Sequence, residues 1–315
     1  MSEELIIDLS QPPQERWAFS DTQLDHARQL IDVYRKDLGQ SANLAETVAQ
    51  AVRPMLPAEY WGEVQSVASR AGVPADLLLL CNAYYDMVSA LIGCTAFAVD
   101  TPDGPLHARN LDWWTENRLL NETSMACRFT GAPAGEFISI GWPGYLGVLS
   151  GMAPGRFAIT LNAVLSEEAA QIALPVAFQI RKTFEEAETF DDAVERLSQA
   201  VIPGNCLLLV SGIGSGEMLV IERTPTRSAI RQAEAGRVIV ANEYLKLDAE
   251  TAPADTELQS SSCSRYDRMN ILLQRPPKDI QDCIGYLRNP AVQMNITVQQ
   301  MACQYDPPLA VWKAI

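Results

Sequence analysis

Cys94-Thr95-Ala96-Phe97-Ala98-Val99-Asp100-Thr101-Pro102-Asp103-Gly104-Pro105-Leu106-His107-Ala108-Arg109-Asn110-Leu111-Asp112-Trp113-Trp114 is the stretch around which the chain is organised. Cys94 to Val99 is a short apolar run with β-branched and aromatic members, the pattern of a buried strand. Thr101-Pro102-Asp103-Gly104 is a turn: proline presets φ at its second position, and glycine tolerates a positive φ. Leu106 to Trp113 then returns as a second strand. An antiparallel return of that length carries Arg109 and Asp112 back toward the end where Cys94 sits. A thiol, a guanidinium and a carboxylate thus gather at one end of a ribbon, and Gly93 leaves the peptide bond before Cys94 sterically open. The plain structural alternative is a small core cysteine beside an ordinary Arg/Asp ion pair.

Cys94-Thr95, the Asp103-Gly104 turn and Arg109-Asn110-Leu111-Asp112 resemble the signature of N-terminal-nucleophile (Ntn) amidases of the acid ceramidase type. N-acylethanolamine acid amidase belongs to that group, and choloylglycine hydrolase and isopenicillin N acyltransferase are more distant relatives. The family pattern begins Cys-Thr-Ser, and Ala96 replaces the serine here. The resemblance implies an α+β fold, a four-layer αββα sandwich. It further implies cleavage between Gly93 and Cys94, separating a mostly helical prosegment, 1–93, from a catalytic part, 94–315.

Composition narrows the partners. The 315 residues carry a formal net charge of -15, which would repel nucleic acid and anionic membrane surfaces. With 48% hydrophobic and 20% charged residues the chain is globular rather than disordered. The start, Met-Ser-Glu-Glu-Leu-Ile-Ile-Asp, lacks the basic and apolar regions of a signal peptide, so a cytoplasmic protein is expected. Leu77 to Val99 is the most apolar stretch, but Asn82 and Asp86 interrupt it, which argues against stable membrane insertion. Seven scattered cysteines without a CxxC pair suggest reduced thiols and neither a disulfide framework nor a zinc site. No cofactor or metal is expected; the partner is a small acyl-amide substrate, and homo-oligomerisation is left open.

The rest of the chain reads in blocks. A strand over 5–9 precedes Pro12-Pro13 and Glu15-Arg16-Trp17, an opening similar to that of family members. Helices are expected over 20–39, with Ser20 and Gln23 as a capping box, and over 42–52, 58–71 and 74 to about 90. The last is placed to wall an apolar acyl pocket, from Leu77 to Ile92. From Cys94 the texture changes to strands: 94–100, 105–112, 124–130, 136–141, 157–162, 206–210, 217–223 and 238–242. Gly212-Ile-Gly-Ser-Gly216 superficially suggests a phosphate loop, but no helix follows, so it reads as a hairpin turn. Helices are expected at 172–184, 190–200, 264–274 and 280–287, a polar loop at 250–262, and a final hairpin around Asp306-Pro307-Pro308.

The chemistry follows from a scarcity. A conventional cysteine hydrolase needs a histidine base, and only His26 and His107 exist. A Cys94–His107 pair is one alternative. An N-terminal Cys94 needs no histidine, because its own α-amine has a pKa of about 7.7–8.0 and can serve as the base. By the resemblance, Asp112 orients that amine and Arg109 lowers the pKa of the thiol. Asn242 and Asn162, each at a strand end, match family asparagines that donate to the oxyanion; strand-end hydrogen bonding is the alternative for both. Arg265 resembles an arginine near the site, or is a solvated cation at a helix start. Ala163 departs from the glutamate that follows Leu-Asn in acid ceramidase-type members. The expected activity is therefore a self-processing cysteine amidase acting on fatty acyl amides, N-acylethanolamine- or ceramide-like. An uncleaved silent relative that binds lipid or a protein partner, and an acyltransferase using the same acyl-enzyme, are the rival readings.

Overall fold

The computed structural model describes residues 4–39, 45–88, 92–115, 118–247 and 260–315. The chain enters as a short strand, β1 (Leu5–Asp8), and then forms helices α1 (Asp21–Leu38), α2 (Ala45–Val52), α3 (Ala58–Ala71), α4 (Ala75–Asn82) and α5 (Tyr84–Val88). Ser20 and Gln23 make the expected reciprocal cap on α1. Gly72 ends α3 at a φ of 69°, a left-handed conformation that glycine takes without a Cβ clash.

The hairpin then forms as β2 (Ile92–Val99) and β3 (Leu106–Trp113), buried along both strands. The register sets Gly93 opposite Asp112, Cys94 opposite Leu111 and Ala96 opposite Arg109. After the short helix α6 (Leu119–Thr123) come β4 (Met125–Thr130), β5 (Phe137–Gly141), β6 (Ser150–Ala153) and β7 (Phe157–Asn162). Helices α7 (Val176–Glu186) and α8 (Phe190–Gln199) lead to β8 (Cys206–Gly212), β9 (Met218–Arg223), β10 (Ser228–Gln232) and β11 (Arg237–Val240). The described chain closes with α9 (Ser262–Leu272), α10 (Ile280–Leu287), β12 (Thr297–Tyr305) and β13 (Pro308–Ala314).

These strands make two sheets, one of eight in the order β1-β4-β5-β6-β7-β8-β9-β10 and one of five in the order β11-β2-β3-β12-β13. The sheets face each other through small and branched side chains, among them Ala96, Ala98, Leu207 and Val220, with Ala126, Met152, Met301 and Cys303 beside them. Outside the smaller sheet, α9 and α10 cover Phe97, Val99, Leu106 and Ala108. Outside the larger one, α7, α8 and the helices of 21–88 share one apolar cluster with Phe129, Phe137 and Phe157. The central strands bury both faces, so helix, sheet, sheet and helix stack as an αββα sandwich.

The helical segment is bound to the body by charge as well as by apolar contact. Fully buried Glu63 on α3 accepts from Arg16 Nη1 at 2.9 Å, Trp17 Nε1 at 2.7 Å, and Arg181 Nη1 and Nη2 at 2.6 and 2.8 Å. Strand β1 pairs in parallel with β4, so residues before and after position 93 share a sheet.

Several expectations are corrected. The helix expected from 74 to about 90 breaks at Ala83 into α4 and α5, and Ile92 belongs to β2. The break coincides with Asn82, whose amide donates to Leu78 O and Gly144 O, each at 3.0 Å, and whose Oδ1 accepts from Leu146 N at 2.6 Å. The 144–146 chain segment thus docks where the helix stops, a long-range cause that periodicity cannot register. Helix α7 starts only at Val176, behind Pro175. Strands β6 and β10 and helix α6 have no counterpart among the sequence-based expectations. Positions 42–44 of the second helix, and 250–259 of the expected polar loop, lie outside the described residues.

Candidate active site

Alternation along β2 and β3 decides what meets what. Cys94 and Arg109 project from the face of the smaller sheet that looks toward the larger one, while Thr95, Asn110 and Asp112 project toward the helices. Arg109 Nη2 lies 3.1 Å from Cys94 Sγ. The same guanidinium donates to Leu161 O and, through Nη1, to Ser150 Oγ at 2.5 Å. The thiol itself faces Leu161 O at 3.6 Å. Burial, and after it the neighbouring Asp112, push the Cys94 thiol up from its ordinary pKa; Arg109 and the Ala163 backbone N–H pull it down, and in the intact chain the upward causes prevail.

The backbone nitrogen of Cys94 is held as firmly as the sulfur. It donates to Asn242 Oδ1 at 3.1 Å. Arg265 Nη2 donates to the same oxygen at 2.7 Å, and its Nη1 reaches Cys94 O and, at 2.8 Å, Thr95 Oγ1. Arg265 is therefore no solvated cation: it is buried at the start of α9, and desolvation holds its pKa below the usual value. With two donors on its oxygen, the Asn242 amide has one orientation, and its Nδ2 gives one N–H to Ala163 O at 2.7 Å. Among the described residues Ala163 O is the one acceptor of that nitrogen, which leaves its second N–H for another. Asn162 stands behind this arrangement. Its Nδ2 donates to Val240 O at 3.1 Å and Ala241 O at 2.9 Å, so it braces the residues leading into Asn242.

Asp112 completes the cluster from the helix side. Its Oδ1 accepts from Thr297 Oγ1 at 2.5 Å, and its Oδ2 is buried with no hydrogen bond among the described residues. Burial raises its pKa, opposed by Arg265, Thr297 and Arg109. Arg109 Nε and Asn162 Oδ1 are likewise buried without partners there. Such groups cost about 1–3 kcal/mol each, so their gathering around one thiol marks a site built for something other than stability.

His107 is not part of the group. It sits opposite Ala98, and its Nδ1 and Nε2 lie 2.8 Å from Ser211 Oγ and Thr160 Oγ1. Burial pushes its pKa down to about 3, so it is a neutral core residue. The structure thus brings together Cys94, Gly93, Arg109, Asp112, Asn242 and Arg265, with Asn162 one layer behind. Sequence reading missed Thr297, Ser150 and Ser262, whose Oγ accepts from Asn242 N at 2.8 Å. Each reaches the site across long chain separations, where no local pattern points to it. Among the described residues no group of three or more His, Cys, Asp or Glu is arranged to hold a metal ion, and no helix is long and apolar enough to cross a membrane.

An αββα sandwich whose central hairpin carries a cysteine at the entry to its first strand is an N-terminal-nucleophile hydrolase fold of the acid ceramidase and N-acylethanolamine amidase type. Residues 99–294 match the family described as acyl-coenzyme A:6-aminopenicillanic acid acyl-transferase, and the chain belongs to that family. The match covers Arg109, Asp112, Asn162, Asn242 and Arg265 and begins beyond Cys94. The chain is 26% identical over 247 residues to the N-acylethanolamine-hydrolyzing acid amidase of Caenorhabditis elegans, across 69% of this chain and 66% of that protein. It is 24% identical over 253 residues to the acid ceramidase of Balaenoptera acutorostrata scammoni, across 70% and 63%, and 22% identical over 250 residues to that of Homo sapiens, across 69% and 62%. The chain thus spans just under two thirds of the length of these relatives. The solved structure of the C. elegans N-acylethanolamine-hydrolyzing acid amidase ortholog shares the fold, with a TM-score of 0.54 at 20% identity over 67% of this chain and 92% of that one.

Proposed function

We propose that the protein is a self-processing cysteine amidase that hydrolyses linear amide bonds of fatty acyl amides through an acyl-enzyme on Cys94. The observation that carries this reading is the treatment of one residue at both ends: Arg109 stands against its sulfur, and Asn242 holds its nitrogen.

In the first stage Cys94 Sγ attacks the Gly93 carbonyl carbon. The C–N bond to Cys94 breaks, a thioester links Gly93 to the sulfur, and the nitrogen takes the thiol proton. Water then cleaves the thioester, giving a carboxylate on Gly93 and a free thiol and amine on Cys94. Fragments 1–93 and 94–315 result. The new amine keeps Asn242 Oδ1 as an acceptor and has the unpaired Asp112 Oδ2 as a second. Sulfur that is fully buried in the intact chain becomes the first side chain of a new terminus.

In the second stage the amine accepts the thiol proton as Sγ attacks the substrate carbonyl. The spare N–H of Asn242 Nδ2 meets the developing oxyanion, with Asn162 bracing it. The proton passes to the leaving amine, a thioester remains, and water releases the acid. N-acylethanolamine- and ceramide-like amides are the proposed substrates, in keeping with the names of the similar proteins.

The family to which the chain belongs is described by an acyl transfer, which favours a second reading. An acyltransferase uses the same thioester, with an amine in place of water. Turnover of an N-acylethanolamine with a competing amine present separates the two: free acid as the dominant product supports hydrolysis, and a new amide as the dominant product supports transfer.

A further inference from the structure

Glu222 on β9 is fully buried on the face that looks toward the smaller sheet, yet it takes no part in the chemistry above. Its carboxylate gathers three consecutive backbone donors. Leu245 N lies 3.2 Å from both oxygens, Lys246 N 2.9 Å and Leu247 N 2.7 Å from Oε2. Arg231 Nε closes the arrangement at 3.0 Å from Oε1, and its Nη2 donates to Ile239 O at 2.8 Å. Three successive N–H groups turned onto one anion form a concave cradle that only an acceptor-only group fills well.

The position of this turn gives the carboxylate its meaning. Residues 243–247 follow directly on Asn242, the residue that holds the Cys94 nitrogen. Asn242 is braced from the preceding side by Asn162, through the carbonyls of 240 and 241, and at its own nitrogen by Ser262. Glu222 fixes the remaining side. Tyr244 Oη, bonded to Arg223 O at 2.8 Å, anchors the same turn to the end of β9.

We propose that Glu222 is a positioning residue for the reaction at Cys94: it sets the backbone after Asn242 and thereby the point at which that amide meets the Cys94 nitrogen and the substrate oxygen. This rests on the amidase reading of the site. Charge-assisted bonds to three adjacent amides define a geometry that a neutral amide cannot reproduce, because Gln at 222 would turn N–H groups toward other N–H groups.

Full-length Glu222→Gln and Glu222→Asp test it by three readouts: amide hydrogen exchange at 244–247, kcat and KM for an N-acylethanolamine, and the rate of Cys94 alkylation by iodoacetamide. The expected result for Glu222→Gln is faster exchange at 244–247 and a kcat about 10-fold or more lower, with KM within about twofold of the wild type. Glu222→Asp, which keeps the charge, recovers part of kcat and decides the matter if the glutamine variant does not fold. Faster exchange with kcat unchanged per folded molecule overturns the proposal. Should the wild type turn over no amide, the amidase reading fails on its own. Exchange and alkylation then still decide whether Glu222 sets the Cys94 environment: altered alkylation in the variants supports it, and unaltered alkylation overturns it.

Discussion

Arg109 and Cys94 stand on neighbouring strands of one hairpin, and the guanidinium nitrogen lies 3.1 Å from the sulfur on the same face of the sheet. Two consequences attach to that pairing. Arg109 opposes the effect of burial on the thiol, and it ties the hairpin to Leu161 and Ser150 of the facing sheet. Replacing it removes both at once. Arg109→Met is expected to lower kcat by about 10²-fold, the scale on which a single positioned donor acts. The pH profile of Cys94 alkylation should also move to higher pH, since the charge that lowers the thiol pKa is gone. An unchanged alkylation profile would remove Arg109 from the mechanism.

Asn242 and Asp112 are expected to differ in kind. Asn242→Ala takes away both the acceptor for the Cys94 nitrogen and the proposed oxyanion donor, and should lower kcat by about 10²–10³-fold with little change in KM. Asp112→Asn keeps the shape and the Thr297 bond but loses the charge facing a new ammonium. Its signature is a shift of the acid limb of the kcat/KM profile to lower pH, because an amine that has lost a carboxylate neighbour gives up its proton more readily. Steady-state kinetics across pH checks both.

His107 supplies a prediction with the opposite sign. If it served as the base, His107→Gln would bring the loss of about 10²-fold or more that accompanies removal of a general base. Held between Ser211 and Thr160, it should instead leave activity at neutral pH nearly intact. The variant should change stability against acid. The folded-state pKa of His107 is about 3 against an ordinary 6.5, so its contribution is present above 6.5 and is lost as pH falls toward 3. Each tenfold change in proton affinity corresponds to about 1.4 kcal/mol, so the full acid loss is on the order of several kcal/mol. Urea unfolding at pH 7 and pH 4 should therefore show a smaller acid loss in His107→Gln than in the wild type.

The hairpin was legible in the sequence because every local signal agreed. The apolar run, the Pro-Asp-Gly turn and the returning strand fix a register, and the register brings Arg109 and Asp112 to Cys94. The strand-end asparagines were legible as residues of interest, but their division of labour was not. Asn162 and Asn242 look alike in sequence; only the bonds from Asn162 to the carbonyls of 240 and 241 make one a brace, while Asn242 gives a single N–H to Ala163 O. The helix break at Ala83 escaped for a related reason: it is set by Leu146, a partner far along the chain. Arg265, legible as either solvent-facing or site-facing, was resolved by its burial and by its bonds to Asn242 and Cys94.

Glu63 offers a test of how the two halves stay together. Burial alone would raise its pKa, yet Arg181, Trp17 and Arg16 hold it below the usual carboxylate value. Glu63→Ala leaves two buried guanidinium groups and an indole N–H without this carboxylate, and should destabilise the chain by about 3–5 kcal/mol. Equilibrium denaturation measures this directly. If the chain is cut at Cys94 as proposed, the Glu63–Arg181 contact would hold 1–93 against the rest, so both fragments should elute together from a sizing column in the wild type and separate more readily in the variant.

The most direct measurement is the intact mass of the purified wild type and of Cys94→Ala after incubation across acidic and neutral pH. The account predicts that the wild type yields a fragment whose first residue is Cys94, that amide hydrolysis appears in step with it, and that Cys94→Ala stays whole and inactive. An uncut wild-type chain that still hydrolyses acyl amides, or a cut at another bond that restores activity to Cys94→Ala, would contradict it.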